Sequence, residues 1–250
     1  MFPLLGQSAC AALNSLPAKR KKAGLQAHRK VYKQLLQYHS FTKINKFLEL
    51  KHPDPKKVKY RLFFEVSLGP RIVDVIVLTS YETERVCYVV ELKTCLGSEF
   101  NFTSVRAAQR TQGLCQLYDS TKYLSNNAPL GGERWEVRAH LLFKSQSAMK
   151  TLYVEHPGFQ FNQLQCTTGA LSVFLKSRED VACRQLLYQG LQCAALAKKM
   201  RVLGTKSTKR ARDKPTQVSR VPAQRSPVQK ARGRKQAESH KKGASKGRAG

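Results

Sequence analysis

Acidic residues are scarce in this 250-residue sequence: Asp and Glu number 16 against 45 Lys and Arg, for a formal charge of +29. Folding a domain requires no such imbalance. It implies a polyanionic partner, with nucleic acid, DNA or RNA, ahead of an anionic membrane surface. No stretch reaches 18 apolar residues, so no transmembrane segment is expected. The apolar start, MFPLLGQSACAALNSLP, lacks a leading basic residue, which argues against an export signal. No CxxC occurs, and the seven cysteines (10, 87, 95, 115, 166, 183 and 193) are odd in number and mostly flanked by apolar residues. Free thiols in a reducing compartment are expected, not a disulfide framework. The six histidines show no zinc spacing with them. Beyond residue 200 there is no Phe, Tyr or Trp.

Three segments follow from these patterns. Residues 1–23 read as a flexible arm ending in the basic cluster Lys19, Arg20, Lys21 and Lys22, a pattern that import receptors recognise. Residues 24–198 carry the periodic apolar pattern of an α/β domain. Residues 199–250 read as a disordered Lys/Arg-rich tail: from 198 onward 18 basic residues face two acidic ones. Such a composition cannot bury enough apolar surface to offset its ordering entropy. Its clusters, including Lys209 and Arg210, suit nuclear import, nucleolar retention and salt-sensitive nucleic-acid contact.

Within the domain, helical spacing begins near Leu25 and resumes after a break at Ser40, a plausible N-cap. "KHPDPKK" (51–57) stops it. Strands are predicted at Tyr60–Val66, Ile72–Leu78 and Val86–Leu92, a helix at 103–124, and a strand at Trp135–Phe143. A short strand at 172–177 and a helix starting at Val181 complete the pattern. The order is α-β-β-β-α-β-β-α, a mixed sheet flanked by helices.

The second and third strands hold three charged residues, Asp74, Glu91 and Lys93. A hairpin turn centred between Glu82 and Thr83 sets Asp74 directly across from Glu91, with Lys93 on the same face as Glu91. Two carboxylates so placed form a hard-oxygen site for Mg²⁺ or Mn²⁺, and a neighbouring lysine can orient water or stabilise charge on a phosphate. The same residues also suit a structural ion-pair network. Glu65, at the end of the first strand, is a further carboxylate. Gln109, Gln112 and Gln116 recur on one side of the following helix, beside Arg106 and Arg110, and together suit phosphate and water positioning.

The Asp74 hairpin, the Glu91-Leu92-Lys93-Thr94 run, "QRTQGLCQLYDS" (109–120) and "GLQAHRKVYKQL" (24–35) resemble the herpesvirus unique-long twenty-four family of nuclear and nucleolar core proteins. Length and tail are most similar to its gammaherpesvirus branch, and within it to the lymphocryptovirus member. The resemblance implies a restriction-endonuclease-like PD-(D/E)XK core with Glu65, Asp74, Glu91, Lys93 and Gln112 in the catalytic positions. It further implies Asp74 and Glu91 as metal ligands, Mg²⁺ or Mn²⁺ as the cofactor, and no organic cofactor. Arg106, Gln109, Arg110 and Gln116 would contact nucleic acid. Val73 stands where that signature has proline. The resemblance also implies the host nucleus and nucleolus as the location, with the host cytoplasm and virion besides. Host nucleolar proteins are the implied partners, and their dispersal, cell-cycle disturbance and help in nuclear egress the implied roles. An active Mg²⁺-dependent endonuclease on DNA or RNA is one alternative, and a non-catalytic basic scaffold for nucleic acid or protein is another.

Overall fold

A computed structural model describes residues 16–190 and Gln192. The first 15 residues and the basic tail, with Lys209 and Arg210, lie outside the described residues. Eleven elements follow in chain order. Helices α1 (Ala18–Gln37) and α2 (Phe41–Leu48) precede strands β1 (Lys59–Leu68), β2 (Arg71–Tyr81) and β3 (Glu84–Cys95). Helix α3 (Ser104–Asn127), strands β4 (Arg134–Ser145), β5 (Thr151–Glu155) and β6 (Gln163–Gln165), and helix α4 (Thr168–Lys176) come next. A final helix, α5, covers 181–190.

The six strands form one mixed sheet in the order β1-β2-β3-β4-β5, with β6 also paired to β4. β3 and β4 are parallel and α3 is the crossover between them; the other pairings are antiparallel. Both faces are covered. Leu117 and Leu124 of α3 and Leu171, Phe174 and Leu175 of α4 pack with Ile76, Val89 and Leu141 on one side. Val31 and Leu35 of α1 and Ile44 and Leu48 of α2 pack with Val77, Tyr88 and Val90 on the other. Buried on two faces, β2 and β3 read as near-continuous apolar runs and not as alternating ones. The five cysteines among the described residues, Cys87, Cys95, Cys115, Cys166 and Cys183, are in no disulfide. No helix among the described residues is long and apolar enough to cross a membrane.

Two expectations are corrected. The arm predicted over 1–23 does not extend to 23, because Ala18–Ala23 form the first turns of α1, with Pro17 in the N-cap position. Ala, Lys and Arg favour helix without supplying the apolar periodicity that would have revealed it. The strand predicted at 172–177 belongs to α4. Leu171, Phe174 and Leu175 are buried at i, i+3 and i+4, Val173 is exposed, and the Thr167 hydroxyl accepts from Ala170 N. A short apolar run does not distinguish the two states. β5 and β6 were not anticipated. Ser40 occupies the N-cap of α2 as predicted, although its side chain makes no capping bond.

Candidate functional site

The hairpin register matches the sequence expectation. Tyr81 pairs with Glu84 across a two-residue turn and Val75 with Val90, so one further step puts Asp74 opposite Glu91. On its other side Asp74 lies opposite Glu65, since Phe64 pairs with Val75 and Val66 with Val73. Three carboxylates thus form a row across β1, β2 and β3.

The regular ladder breaks within that row. Glu65 is left-handed, with φ 49°, and no backbone pair joins it to Asp74. Before the break, Phe64 and Val75 pack toward α1 and α2; after it, Val66 and Val73 pack toward α3. The irregularity leaves the register unchanged on both sides and re-aims the side chains within it. It turns Asp74 toward α1, while Glu91 and Lys93 remain under α3. The expected convergence of Asp74 and Glu91 on one face is therefore replaced by two adjoining groups.

The first group gathers on α1. Asp74 Oδ1 accepts from the Tyr32 hydroxyl at 2.8 Å and lies 3.0 Å from His28 Nδ1. Its Oδ2 accepts from Leu92 N at 2.7 Å, which ties it to β3. The Tyr32 hydroxyl also donates to Glu65 at 2.6 Å. Burial alone would raise the Asp74 pKa, but the charge and hydrogen bond of His28, with Lys93 and the Leu92 amide, hold it below the ordinary value. Glu65 is raised, by burial and by the nearby Asp74 charge. Burial acts to lower the His28 pKa, and Asp74 overrides it, so His28 is raised.

The second group lies under α3. Lys93 Nζ donates to Glu91 Oε1 at 2.8 Å, to Gln116 Oε1 at 2.9 Å and to Gln112 Oε1 at 3.3 Å. Gly113 allows the approach: a Cβ there would lie 2.6 Å from Leu141 Cδ1 and 3.3 Å from Lys93 Cε. Burial, aided by the charge on Asp74, pushes the Glu91 carboxyl up to about 8 despite Lys93.

Both groups border an open cleft of about 760 Å³ between α1, the end of β3 and the start of α3. Arg20, Lys21, His28, Lys93, Gln109 and Gln112 are among its lining residues. Arg106 lines it too, donating to the carbonyls of Glu99 and Asn101 at 2.9 and 3.1 Å. Arg110, expected beside it, is instead held by a two-pronged pair to Glu155 of β5, at 2.7 and 2.5 Å. Lys19 and Lys22 are exposed on the first turns of α1.

His28, Glu65 and Asp74 each offer a ligand atom, all within 4.8 Å of one another. One phenolic hydrogen and one imidazole serve two partly or wholly buried carboxylates, so the donor set is rich in negative charge and fits a divalent cation. His28 and Tyr32 were missed from sequence. Their i, i+4 spacing in "HRKVY" was the available signal, obscured because Tyr32 also reads as a core residue.

Residues 14–186 match the family described as "Herpes virus proteins UL24 and UL76". The chain is 47% identical over 189 residues to a UL24 homologue of Saimiriine herpesvirus 2 (strain 11), covering 75% of this chain and 62% of that protein, less than two thirds of its length. It is 42% identical over 201 residues to a UL24 homologue of human herpesvirus 8 type P, covering 80% of this chain and 78% of the other. With a UL24 homologue of Epstein-Barr virus (strain B95-8) the figures are 41% over 180 residues, 71% and 72%. No solved structure matches the chain.

Proposed function

This chain belongs to the herpesvirus UL24 and UL76 family, and we propose that it acts in the host nucleus and nucleolus, with a folded domain that cleaves phosphodiesters of DNA or RNA with the help of a divalent cation. The carrying observation is the placement of Lys93. Its ammonium is fixed by Glu91, Gln112 and Gln116 beside the His28–Glu65–Asp74 group, at the edge of a cleft that Arg20 and Arg106 make positive. This arrangement favours a PD-(D/E)XK type of chemistry on a mixed sheet.

Asp74, Glu65 and His28 would hold the cation, with Glu91 next to them on β3. Mg²⁺ or Mn²⁺ bound there would polarise a phosphate and lower the pKa of a coordinated water. Lys93 is the group that stabilises charge developing on the phosphate, and the two glutamines fix where its ammonium points. Arg20 and Arg106 raise the local concentration of a polyanion. Val73 in place of proline removes no ligand. Redistribution of host nucleolar proteins, disturbance of the cell cycle and assistance in nuclear egress form the cellular part of this proposal; the basic clusters favour it.

The test is cleavage of single-stranded and duplex DNA and RNA by the full chain in Mg²⁺ or Mn²⁺, against Glu91→Ala and Lys93→Ala. Wild-type cleavage that falls at least 100-fold in both variants is the expected result, of the order that removing one transition-state contact costs. Failure of the wild type to cleave any of them, or equal activity in all three proteins, assigns the charged hairpin to a structural ion-pair network on a binding scaffold.

A further inference from the structure

Two large apolar side chains in the lining of the cleft are exposed, Leu25 on α1 and Leu96 after β3, and Phe102 stands exposed in the loop between β3 and α3, outside that lining. Single exposed apolar residues are ordinary. Phe102, 66% exposed, differs in how it is held. It packs edge-on against Phe100 (centroids 4.9 Å apart, planes at 87°) and Tyr153 (5.8 Å, 79°). Phe100 in turn stacks on Tyr153 at 4.5 Å and 12°, and both rings meet buried Phe143 at 5.0 and 5.8 Å. Arg106 lies over Phe100 at 5.5 Å while bonding two carbonyls of the same loop. A continuous set of rings therefore runs from the core to solvent and ends in one fixed, exposed ring. The residues on either side of it, Asn101 and Thr103, line the cleft.

We propose that the cleft binds single-stranded nucleic acid, with an unpaired base stacked on Phe102 just beyond the wall formed by Asn101 and Thr103, and neighbouring phosphates near Arg20 and Arg106. The proposal rests on the nucleic-acid reading of the cleft and adds the strand state of the ligand. Two observations favour one strand over two. The faces of duplex bases are already stacked on one another, so an exposed aromatic ring recognises only a base that is free. The cleft volume of about 760 Å³ also falls in the range that encloses a ligand the size of one or a few nucleotides, not a duplex. Gln109, Gln112, Gln146 and Asn101 supply both donors and acceptors at its walls, suited to base edges.

The experiment uses the full chain in EDTA at about 0.3 M salt, where the general phosphate contribution is weakened. The probes are a labelled thymidine hexamer and a blunt DNA hairpin, read by fluorescence anisotropy. The hexamer should bind more tightly than the hairpin. Phe102→Ala should weaken hexamer binding by about 5- to 100-fold, the range for one lost base stack, and leave hairpin binding unchanged. Phe102→Trp should restore it, and a 5-iodouracil hexamer should photo-crosslink at Phe102. Equal hexamer binding by wild type and Phe102→Ala, or equal affinity for hexamer and hairpin, overturns the proposal. EDTA leaves no free divalent cation, so the outcome is separate from cleavage. A strand that binds through Phe102 but is never cut in Mg²⁺ or Mn²⁺ keeps this cleft and removes the hydrolase.

Discussion

Tyr32 has one hydroxyl hydrogen and two carboxylates within reach, 2.6 Å from Glu65 and 2.8 Å from Asp74. The environments of the two acids drive them apart, Glu65 upward by burial and the Asp74 charge, Asp74 downward by His28, Lys93 and the Leu92 amide against its burial. Tyr32 itself is pushed well above its usual value by burial and by both acids, so it remains a donor. Lys144 of β4 is a separate case of a buried charge. Its ammonium lies 3.9 Å over the Phe47 ring and donates to Thr151 Oγ1 at 3.1 Å and to Met149 O at 3.3 Å. Burial lowers its pKa from 10.5 to about 8. The unfolded chain then binds the proton more firmly, so stability rises with pH between about 8 and 10.5. Below pH 8 the full cost of the buried charge is present. Lys144→Met should therefore stabilise the protein at pH 7 by roughly 1–3 kcal/mol, and the gain should fade by pH 10.5 in urea titrations.

Helix α3 lies close on β3 because Gly113 leaves room for Leu141 and the Lys93 stem. Gly113→Ala improves helix propensity by about 1 kcal/mol, yet its Cβ would meet Leu141 at 2.6 Å. Overpacking of this kind costs roughly 1–3 kcal/mol, so a net loss of stability is expected in thermal unfolding. Lifting α3 also draws Gln112 and Gln116 from Lys93, and cleavage should fall further than stability. A variant more stable than wild type would mean the helix shifts freely. The same elements show what the sequence made legible. Alternation and a two-residue turn fixed the Asp74–Glu91 register, and the spacing put Gln109, Gln112 and Gln116 on one side of the helix; that Gln112 and Gln116 accept from Lys93 was not legible. The break at Glu65 was hidden, since no glycine marks that left-handed position. Without it, parity put Asp74 under α3, and His28 had no reason to be considered. β5 and β6 are too short, at five and three residues, to leave a periodic signal.

At the scale of the whole molecule, charge is divided between the cleft and the basic tail. The tail 199–250 needs no fold to act on a polyanion, because released counterions drive such contacts whatever the base sequence. Deleting it should flatten the dependence of nucleic-acid affinity on salt and reduce nucleolar retention, while the Phe102-dependent preference for single strands persists. Filter binding across a salt series and imaging of a tagged chain measure both. An unchanged slope and unchanged localisation would move these roles to the folded domain, where Lys19–Lys22 on α1 are the next cluster to remove.

β1 is an edge strand, and its far half is covered by residues near the other end of the domain. Val66 bridges to Glu179, Ser67 N donates to Arg178 O, and Asp180 N donates to Glu65 O. Buried Glu179 also accepts from Phe64 N at 3.0 Å, 115 residues away in sequence, and is neutralised by Lys176 and Arg184. During synthesis the β1–β2 hairpin emerges well before this cover. At ribosomal rates of about 5–20 residues per second the edge waits roughly 5 to 20 s for its partner. For that interval the nascent chain presents an open strand beside apolar Phe63 and Phe64, a template for pairing with other chains. Chaperone engagement on the ribosome should accordingly peak between the release of β2 and the release of residue 180.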